Sequence, residues 1–289
     1  MSDDSASEVA VLTGGTSGLG RVAALRLAEL GYRVAIIGRN ERRGTALEAR
    51  GSDLDGAIRF YRVDLAAQSA VRALATDLRE TYDRIDRLIH NAGLSSAHRI
   101  ETEDGIERTL AVNHLAPYLL THELLDRLRA SEPARIVVTA SGIHTRGTLD
   151  FTDLQFEDRY DSIDAYARSK LANIAFTVEL ARRLEGTDLS ANCFHPGFIP
   201  STRLFREAPI WTRLVIRAAS VLPVIGTSEQ EGARRLLQLT TEEAFGQRSG
   251  VYLAGNGITS PSPEATDPEN RRRLWERSAD LVGVDPDWP

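Results

Sequence analysis

Short apolar runs alternate with amphipathic segments along most of the chain. Runs such as Val9–Leu12 and Val34–Ile37 have the length and unbroken hydrophobicity of strands that are buried on both faces. Between them, as in Gly18–Leu30, apolar residues recur at helical spacing, which predicts helices. The same patterns predict further strands and helices at Ile58–Val63, Val71–Leu78, Leu88–Ile89, Asp104–Leu128, Ile136–Val138, Ala165–Leu184, Leu189–Phe194 and Val251–Leu253.

This order of elements is typical of an α/β protein. We predict a Rossmann-type, doubly wound parallel sheet of about seven strands with helices on both faces. No internal repeat or Gly/Ser-rich linker divides the chain. We therefore predict a single domain over 8–284, with short tails at 1–7 and 285–289. Two segments, 144–164 and 198–226, fall outside the alternation.

The composition narrows the class of protein. Of 289 residues, 42% are hydrophobic and 26% are charged, values that are ordinary for a globular chain. The net charge is −6 and the basic residues are scattered, which argues against nucleic-acid binding. Met1–Glu8 is acidic and polar, and no apolar run approaches the ~18 residues of a membrane-spanning helix. We therefore expect a cytoplasmic protein without a transmembrane segment.

A glycine-rich turn joins the first predicted strand to the first predicted helix. Glycines let a pyrophosphate approach the backbone, and a helix N-terminus offers it free N–H groups and a positive dipole. The spacing differs from the common G-x-G-x-x-G pattern, and a plain strand-to-helix turn is the alternative. The turn residues predicted to contact a dinucleotide are Gly14, Thr16, Ser17, Gly18, Leu19 and Gly20.

The end of the second predicted strand indicates which dinucleotide binds. An acidic residue there would bind the 2′-hydroxyl of NAD, but the chain has Arg39 and Asn40. Because arginine accommodates an additional phosphate, we predict NADP, with NAD as the second choice. The alternative is that Arg39 is a solvated residue at a helix start. Asp64 and Asn91 follow the next two strands and are predicted near the adenine and its ribose, although both also suit turns.

Four side chains further along the chain suit proton transfer. Tyr166 and Lys170 are four residues apart and share a helix face, where an ammonium would lower the pKa of a phenol from its usual value of about 10. Ser141 follows a buried strand, the place where ligands gather in open sheets. Asn113, in a helical pattern, is a candidate for holding a proton-relaying water. Each of these residues also has a structural alternative. Tyr166 and Lys170 could lie on an exposed helix face, and Ser141 could make a turn hydrogen bond. Asn113 could mark a helix kink or make a hydrogen bond in the core.

The histidines and the cysteine give no metal-binding pattern. His114, His122, His144 and His195 are not spaced as metal ligands, and Cys193 has no obvious partner. We predict no catalytic metal and interpret each histidine as structural. His144 and His195 are candidates for the border of a pocket.

Together these motifs resemble the short-chain dehydrogenase/reductase family, from about Val9 to Gly283. The motifs that match in the expected order are the glycine turn, Asn91-Ala92-Gly93, Asn113, Ser141, Tyr166-Ala-Arg-Ser-Lys170 and Pro196-Gly197. The resemblance narrows to the branch of retinol dehydrogenases and protochlorophyllide reductase. The features that narrow it are Arg39-Asn40, the 25-residue separation of Ser141 and Tyr166, Ser169–Asn173, His195-Pro196-Gly197 and Arg273–Glu276.

The resemblance implies roles for individual residues. It implies a catalytic tetrad of Asn113, Ser141, Tyr166 and Lys170. It also implies cofactor contacts from Asp64, Leu65, Asn91, Ala92, Gly93, Tyr166, Lys170, Pro196, Gly197, Ile199 and either Ser201 or Thr202.

The chain departs from the family pattern at a few positions. His90 stands where asparagine is frequent, and Ala140 where serine is frequent, but neither change removes a required group. A threonine is usual near the nicotinamide carboxamide, where this chain reads Pro200-Ser201-Thr202, so either hydroxyl is a candidate for that contact.

The segment 198–226 is predicted to form a substrate lid. Its apolar helical stripe consists of Ile210, Trp211, Leu214, Val215 and Ala218. A stripe beside an active site favours an apolar substrate. Ordinary core packing and contact with a membrane surface are the alternatives.

These features predict an NADP-dependent oxidoreductase. It would interconvert a carbonyl and an alcohol on an apolar small molecule by hydride transfer, with Tyr166 as general acid or base. One alternative is a carbon–carbon double-bond reductase of the protochlorophyllide type. Another is a dinucleotide-binding regulator without turnover, although the chain keeps all four catalytic positions. The resemblance also allows a homodimer through the helices around Asn113 and Tyr166.

Overall fold

A computed structural model describes residues 7–131, 133–199, 226–255 and 257–289 of the chain. Most of the predicted lid, with its apolar stripe and the carboxamide candidates Ser201 and Thr202, lies outside these residues.

The described strands form one sheet in the order β3-β2-β1-β4-β5-β6-β7-β8. They are β1 (Val9–Thr13), β2 (Arg33–Gly38), β3 (Ala57–Arg62), β4 (Arg87–His90), β5 (Ala134–Thr139), β6 (Leu189–Phe194), β7 (Tyr252–Ala254) and β8 (Gly257–Ile258). All neighbouring strands are parallel except β7 and β8. The strand order reverses between β1 and β4, which opens a crevice at the carboxyl ends of the strands. The predicted doubly wound fold is confirmed, and the additional strand β8 is too short to produce a hydrophobic pattern.

Helices cover both faces of this sheet. They are α1 (Gly18–Glu29), α2 (Glu41–Gly51), α3 (Gln68–Thr81), α4 (Arg108–Leu110), α5 (Ala116–Glu123), α6 (Leu125–Arg129), α7 (Ser162–Arg183), α8 (Glu229–Thr241), α9 (Pro263–Thr266) and α10 (Pro268–Val282). A π-helical segment, Ala111–Leu115, joins α4 to α5. Among the described helices, none has the length and apolar character needed to cross a membrane.

Two hydrophobic cores lie on opposite faces of the sheet. Because side chains alternate along a strand, Val11 and Ile37 point into the core beneath α3, α5, α7 and α10. Their neighbours Leu12 and Ile36 point into the second core, which α1, α2 and α8 cover. This double burial explains why the strands appear in the sequence as unbroken apolar runs.

The predicted continuous helix over 104–128 is wrong in two respects. It begins at Arg108, because the buried carboxylate of Glu107 accepts hydrogen bonds from the N–H groups of Thr109 (2.8 Å) and Leu110 (2.7 Å) and caps it there. It is then interrupted by the π-helical segment and again at Leu124, which has φ −103°. Neither interruption leaves a mark in the apolar spacing.

The last residues of the chain pack against the helices. Trp288, in the segment 285–289 that the sequence predicts as a tail, is 6% exposed. Its ring lies 4.5 Å from that of Trp275 in α10 and 5.0 Å from that of Tyr118 in α5, and its Nε1–H donates to the Tyr118 hydroxyl at 2.9 Å. The C-terminal segment therefore closes the core on the side of α5 and α7.

Candidate active site

The described residues surround a cleft of about 1190 Å³ at the carboxyl ends of the strands. Its volume exceeds the range of about 300–1,000 Å³ typical of a small-ligand pocket, which leaves room for a dinucleotide and a second molecule. Every described residue predicted to contact the cofactor lines this cleft, and so does Ser141. Asn113 lies behind it, next to Gly93.

The glycine turn forms one wall of the cleft. A Cβ on Gly14 would lie 2.9 Å from the Cα of Ala92, and a Cβ on Gly20 would lie 2.4 Å from the carbonyl oxygen of Gly14. These two glycines therefore let the turn pack against the strand ends. Gly18 differs, since its φ is +55° and no heavy atom stands within 4 Å of a Cβ position. Gly18, at the N-terminus of α1, exposes backbone where a pyrophosphate can approach it.

Asn91 holds this turn to the end of β4. Its side-chain amide donates to the carbonyl oxygens of Thr13 (3.1 Å) and Gly14 (3.3 Å). Its backbone N–H donates to the hydroxyl of Thr13 at 3.0 Å. Asn91 thus has the turn-forming contacts that were one of its two predicted roles, and it also borders the cleft.

Basic residues surround the end of the cleft at β2. Arg39 forms an ion pair with Asp64, with Nη1 and Oδ2 3.6 Å apart, and both side chains are about half exposed. Such an exposed pair contributes roughly 0–1 kcal/mol, so Arg39 can exchange this partner for a ligand at little cost. Asn40 caps α2 by accepting from the N–H of Arg43 at 3.0 Å. Arg43 also lines the cleft, although the sequence prediction did not include it among the cofactor-binding residues. Its position four residues after Arg39, at the start of a predicted helix, could have indicated that the two side chains lie close together.

Tyr166 and Lys170 lie on α7 and face the same cleft. The ammonium nitrogen of Lys170 lies 5.7 Å from the centre of the Tyr166 ring and donates to the carbonyl oxygen of Thr139 at 2.9 Å. Burial lowers the pKa of Lys170 to about 8. The residue is 2% exposed, so its charge is partly deprived of solvation.

The expectation of a lowered tyrosine pKa is wrong for the protein by itself. Desolvation raises the pKa of Tyr166 to about 12, and the hydrogen bond from Ser141 lowers it only in part. Burial disfavours the charged phenolate, and the Lys170 ammonium donates to the carbonyl oxygen of Thr139. The structure therefore favours a protonated phenol beside the serine hydroxyl.

Asn113 lies in the π-helical segment. Such wider helical turns are rare in proteins, and those that occur are often found at functional sites. Its Oδ1 accepts from the N–H of Leu94 at 2.8 Å. Its Nδ2 donates to the carbonyl oxygen of Leu94 and to the hydroxyl of Ser169, both at 2.9 Å. Ser169 in turn donates to the carbonyl oxygen of Tyr166 at 2.8 Å. Asn113 therefore ties the loop after β4 to α7, and Ser169, known to the sequence prediction only as part of a motif, completes the link.

The loop after β6 closes the far side of the cleft. Gly197 has φ +94°, and a Cβ there would lie 2.0 Å from the hydroxyl oxygen of Thr227, so only glycine fits. Ile199 is 4% exposed. The cleft is also lined by apolar side chains that the sequence prediction did not single out, Ile143, Ile163 and Phe198.

His90 and His114 make hydrogen bonds in the core, whereas His195 lies at the cleft. His90 donates to or accepts from the hydroxyl of Thr121 at 2.8 Å, and His114 bonds Ser278 in the same way at 2.8 Å. Burial lowers the pKa of His90 to about 3 and that of His114 to about 4. His195 lines the cleft. Within the part of the chain that is described, no three His, Cys, Asp or Glu side chains are grouped so that they could hold a metal ion.

Comparisons with known proteins give a consistent result. A family model described as short chain dehydrogenase matches residues 8–212. Dehydrogenase/reductase SDR family member 13 from Bos taurus is 40% identical over 96% of this chain and 74% of that protein. Retinol dehydrogenase 13 from Homo sapiens is 37% identical over 95% of this chain and 84% of that protein. The crystal structure of a short chain dehydrogenase from Burkholderia cenocepacia in complex with NADP superposes with a TM-score of 0.68, at 27% identity over 86% of this chain and 95% of that chain.

Proposed function

The chain belongs to the short-chain dehydrogenase family and is an NAD(P)-dependent oxidoreductase of alcohols and carbonyls; on that premise, we propose that it uses NADP to interconvert a carbonyl and an alcohol on an apolar small molecule. One observation carries the proposal. Ser141, Tyr166 and Lys170 share a single cleft with the open backbone at Gly18.

The choice of NADP rests on charge. Arg39 and Arg43 border the end of the cleft at β2, where the adenosine ribose lies in doubly wound folds. Charge-assisted hydrogen bonds from guanidinium groups are the strong interactions that a phosphate can make. The half-exposed pair with Asp64 leaves Arg39 available for this role. The related Burkholderia cenocepacia dehydrogenase was crystallised in complex with NADP.

The chemistry rests on the two adjacent hydroxyls. The dinucleotide, when bound, supplies or accepts the hydride at its nicotinamide ring. Ser141 and Tyr166 would both donate hydrogen bonds to the substrate carbonyl oxygen, and Tyr166 would pass its proton to that oxygen as general acid. Lys170 would stabilise the resulting phenolate and restore the proton. Desolvation raises the pKa of Tyr166 to about 12, so the phenol is protonated before the reaction, as a general acid for carbonyl reduction must be.

Asn113 has a more limited part in this scheme than the sequence alone suggests. Both of its amide N–H groups are used by Leu94 and Ser169. Its Oδ1 accepts one hydrogen bond and keeps a second lone pair, which could accept from a proton-relaying water. We propose that Asn113 serves mainly to hold α7 in register with the loop after β4.

The substrate class follows from the lining of the cleft. Ile163 and Phe198 are 47% and 42% exposed and both line it, so apolar surface is available for a ligand. Retinol dehydrogenases among the relatives are consistent with an apolar alcohol or aldehyde. The cytoplasmic location, contact with a membrane surface and homodimer formation remain predictions. A dimer through the outer side of α5 and α7 would have to displace Trp275 and Trp288.

A substrate panel tests the proposal. Purified protein is assayed with aldehydes, ketones and alcohols of increasing apolar size, including retinaldehyde, with NADPH and NADH in parallel, and nicotinamide absorbance is followed. We expect NADPH to be consumed with an apolar carbonyl, with one alcohol formed for each NADPH oxidised. Reduction of a conjugated double bond with the carbonyl left intact, or light-dependent turnover of protochlorophyllide, would support the double-bond reductase instead.

Carbonyl reduction should depend on pH through Lys170. Burial lowers its pKa to about 8, so the amine carries its proton below this pH and loses it above. Since reduction consumes that proton, kcat/KM for the carbonyl is expected to be flat below pH 8 and to fall up to tenfold per unit above it. Steady-state rates with NADPH between pH 6 and 10 measure this dependence. A profile that stays flat to pH 10 would show that Lys170 does not supply the proton.

A further inference from the structure

His144 is a buried histidine that the proposed chemistry does not use. It lies in the short 3₁₀ turn Gly142–Arg146 that follows Ser141, and it is 4% exposed. Both ring nitrogens nevertheless meet backbone groups. Nδ1 lies 2.8 Å from the carbonyl oxygen of Ser141, and Nε2 lies 3.2 Å from the backbone nitrogen of Ser262, in the loop that leads into α9.

These two partners fix the hydrogen on the ring. The backbone N–H of Ser262 can only donate, so Nε2 must accept. The carbonyl oxygen of Ser141 can only accept, so Nδ1 must carry the hydrogen. His144 is therefore a neutral bridge with one donor and one acceptor, and burial lowers the pKa of its imidazole in keeping with this form.

The bridge restrains the peptide unit of Ser141. The carbonyl oxygen of that residue accepts from the backbone N–H of His144 at 3.1 Å and from its ring at 2.8 Å. With both lone pairs engaged, the peptide plane between Ser141 and Gly142 has little freedom to rotate. The hydroxyl of Ser141 is carried by the same residue, and Ser141 and Tyr166 both line the cleft.

The other end of the bridge is also well anchored. The His144 ring packs edge-on against Tyr252 of β7, with 5.3 Å between ring centres. A second bond joins the same two regions, since Glu264 of α9 accepts from the N–H of Leu149 at 2.6 Å. Two hydrogen bonds thus connect the segment after β5 to the residues around the start of α9, which follow the last strand in sequence.

We propose that His144 is a positioning residue that sets the orientation of Ser141 toward Tyr166 through its Nδ1–H bond to the Ser141 carbonyl. This inference rests on the proposed function of Ser141. The bond from the Ser262 N–H to Nε2 contributes to the stability of the fold. The bond from Nδ1–H to the Ser141 carbonyl oxygen affects turnover, because it orients Ser141.

Substitutions that keep one bond at a time test the assignment. The amide nitrogen of asparagine falls near the Nδ1 position, and the amide of glutamine reaches the Nε2 position. His144→Asn should therefore keep kcat within about twofold of wild type while its melting temperature falls, because the Ser262 N–H loses its acceptor. His144→Gln should lower kcat about tenfold or more, since small displacements of a catalytic group are costly. The NADPH dissociation constant should stay unchanged in both variants.

Two controls separate this inference from the proposed function. Assays use NADPH and the panel carbonyl with the highest turnover, with kcat and KM measured separately and folding checked by thermal melting. If Ser141→Ala keeps wild-type turnover, the proposed function itself fails. If Ser141→Ala is inactive while His144→Asn and His144→Gln have the same kcat, the positioning role of His144 is overturned. His144→Phe, which removes both bonds, should match the glutamine variant in kcat.

Discussion

Replacing Tyr166 with phenylalanine is expected to lower turnover by a factor of about 100 or more, because the variant has no proton to give to the substrate oxygen. A hundredfold loss corresponds to about 2.7 kcal/mol of transition-state stabilisation. In the proposed reaction the phenol is the proton donor beside Ser141. Desolvation raises its pKa to about 12, so it keeps its proton until a strong acceptor forms.

Cofactor affinity separates this effect from misfolding. The Tyr166 ring stays in the phenylalanine variant, and the proposed phosphate and adenosine contacts are made by the glycine turn and by Arg39, which line another part of the cleft wall. The NADPH dissociation constant, measured by fluorescence titration, should therefore change little. Tyr82→Phe is a matched control, since it removes a phenol hydroxyl from a buried residue that does not line the cleft. Turnover of Tyr166→Phe close to that of Tyr82→Phe would refute the general-acid role.

Replacing Arg39 with aspartate is expected to reverse the preference between NADPH and NADH. A hydrogen bond to a charged group contributes about 1.5–3 kcal/mol, and its loss alone costs NADPH roughly tenfold to a hundredfold in kcat/KM. The new carboxylate would also stand beside Asp64, so two negative charges would repel the 2′-phosphate. The same carboxylate can accept from the 2′-hydroxyl of NADH.

The ratio of kcat/KM for NADPH to that for NADH measures this change, and we expect it to fall by about 100-fold or more. Arg42→Asp is the matched control, because it makes the same change in net charge in the first turn of α2 at a residue that does not line the cleft. Equal ratios in the two variants would mean that Arg39 does not select the cofactor. Arg43→Ala tests the second guanidinium at this end, and a smaller fall in the ratio is expected there.

Much of the fold could be predicted because its signals are local. Residues Val9–Leu12 and Val34–Ile37 of the first two strands are buried, so these positions are apolar, and the apolar run is the direct result. β8 (Gly257–Ile258) was missed because two residues form no pattern. The helix over 104–128 was predicted as continuous because apolar spacing does not register a π-helical segment. That segment surrounds Asn113, whose side chain is bound to Leu94 and Ser169 from other elements.

In the candidate site, too, local features could be predicted from the sequence and features that depend on distant elements could not. The residue types of the tetrad and their order are written in the chain, and their spacing indicated a shared helix face for Tyr166 and Lys170. The direction of the Tyr166 pKa was predicted wrongly, because desolvation depends on what surrounds the phenol. The bridge made by His144 involves partners far apart in sequence, 118 residues for His144 and Ser262.

The sequence by itself determined the order of strands and helices, the glycine turn and the chemical groups of the cleft, since each depends on neighbours within a few positions. Only the tertiary structure decided which groups are desolvated, which hydrogen bonds Asn113 and His144 make, and how Trp288 closes the core. The physical reason is that burial and hydrogen-bond partners are set by elements packed together from distant parts of the chain, and no local pattern of residues records them.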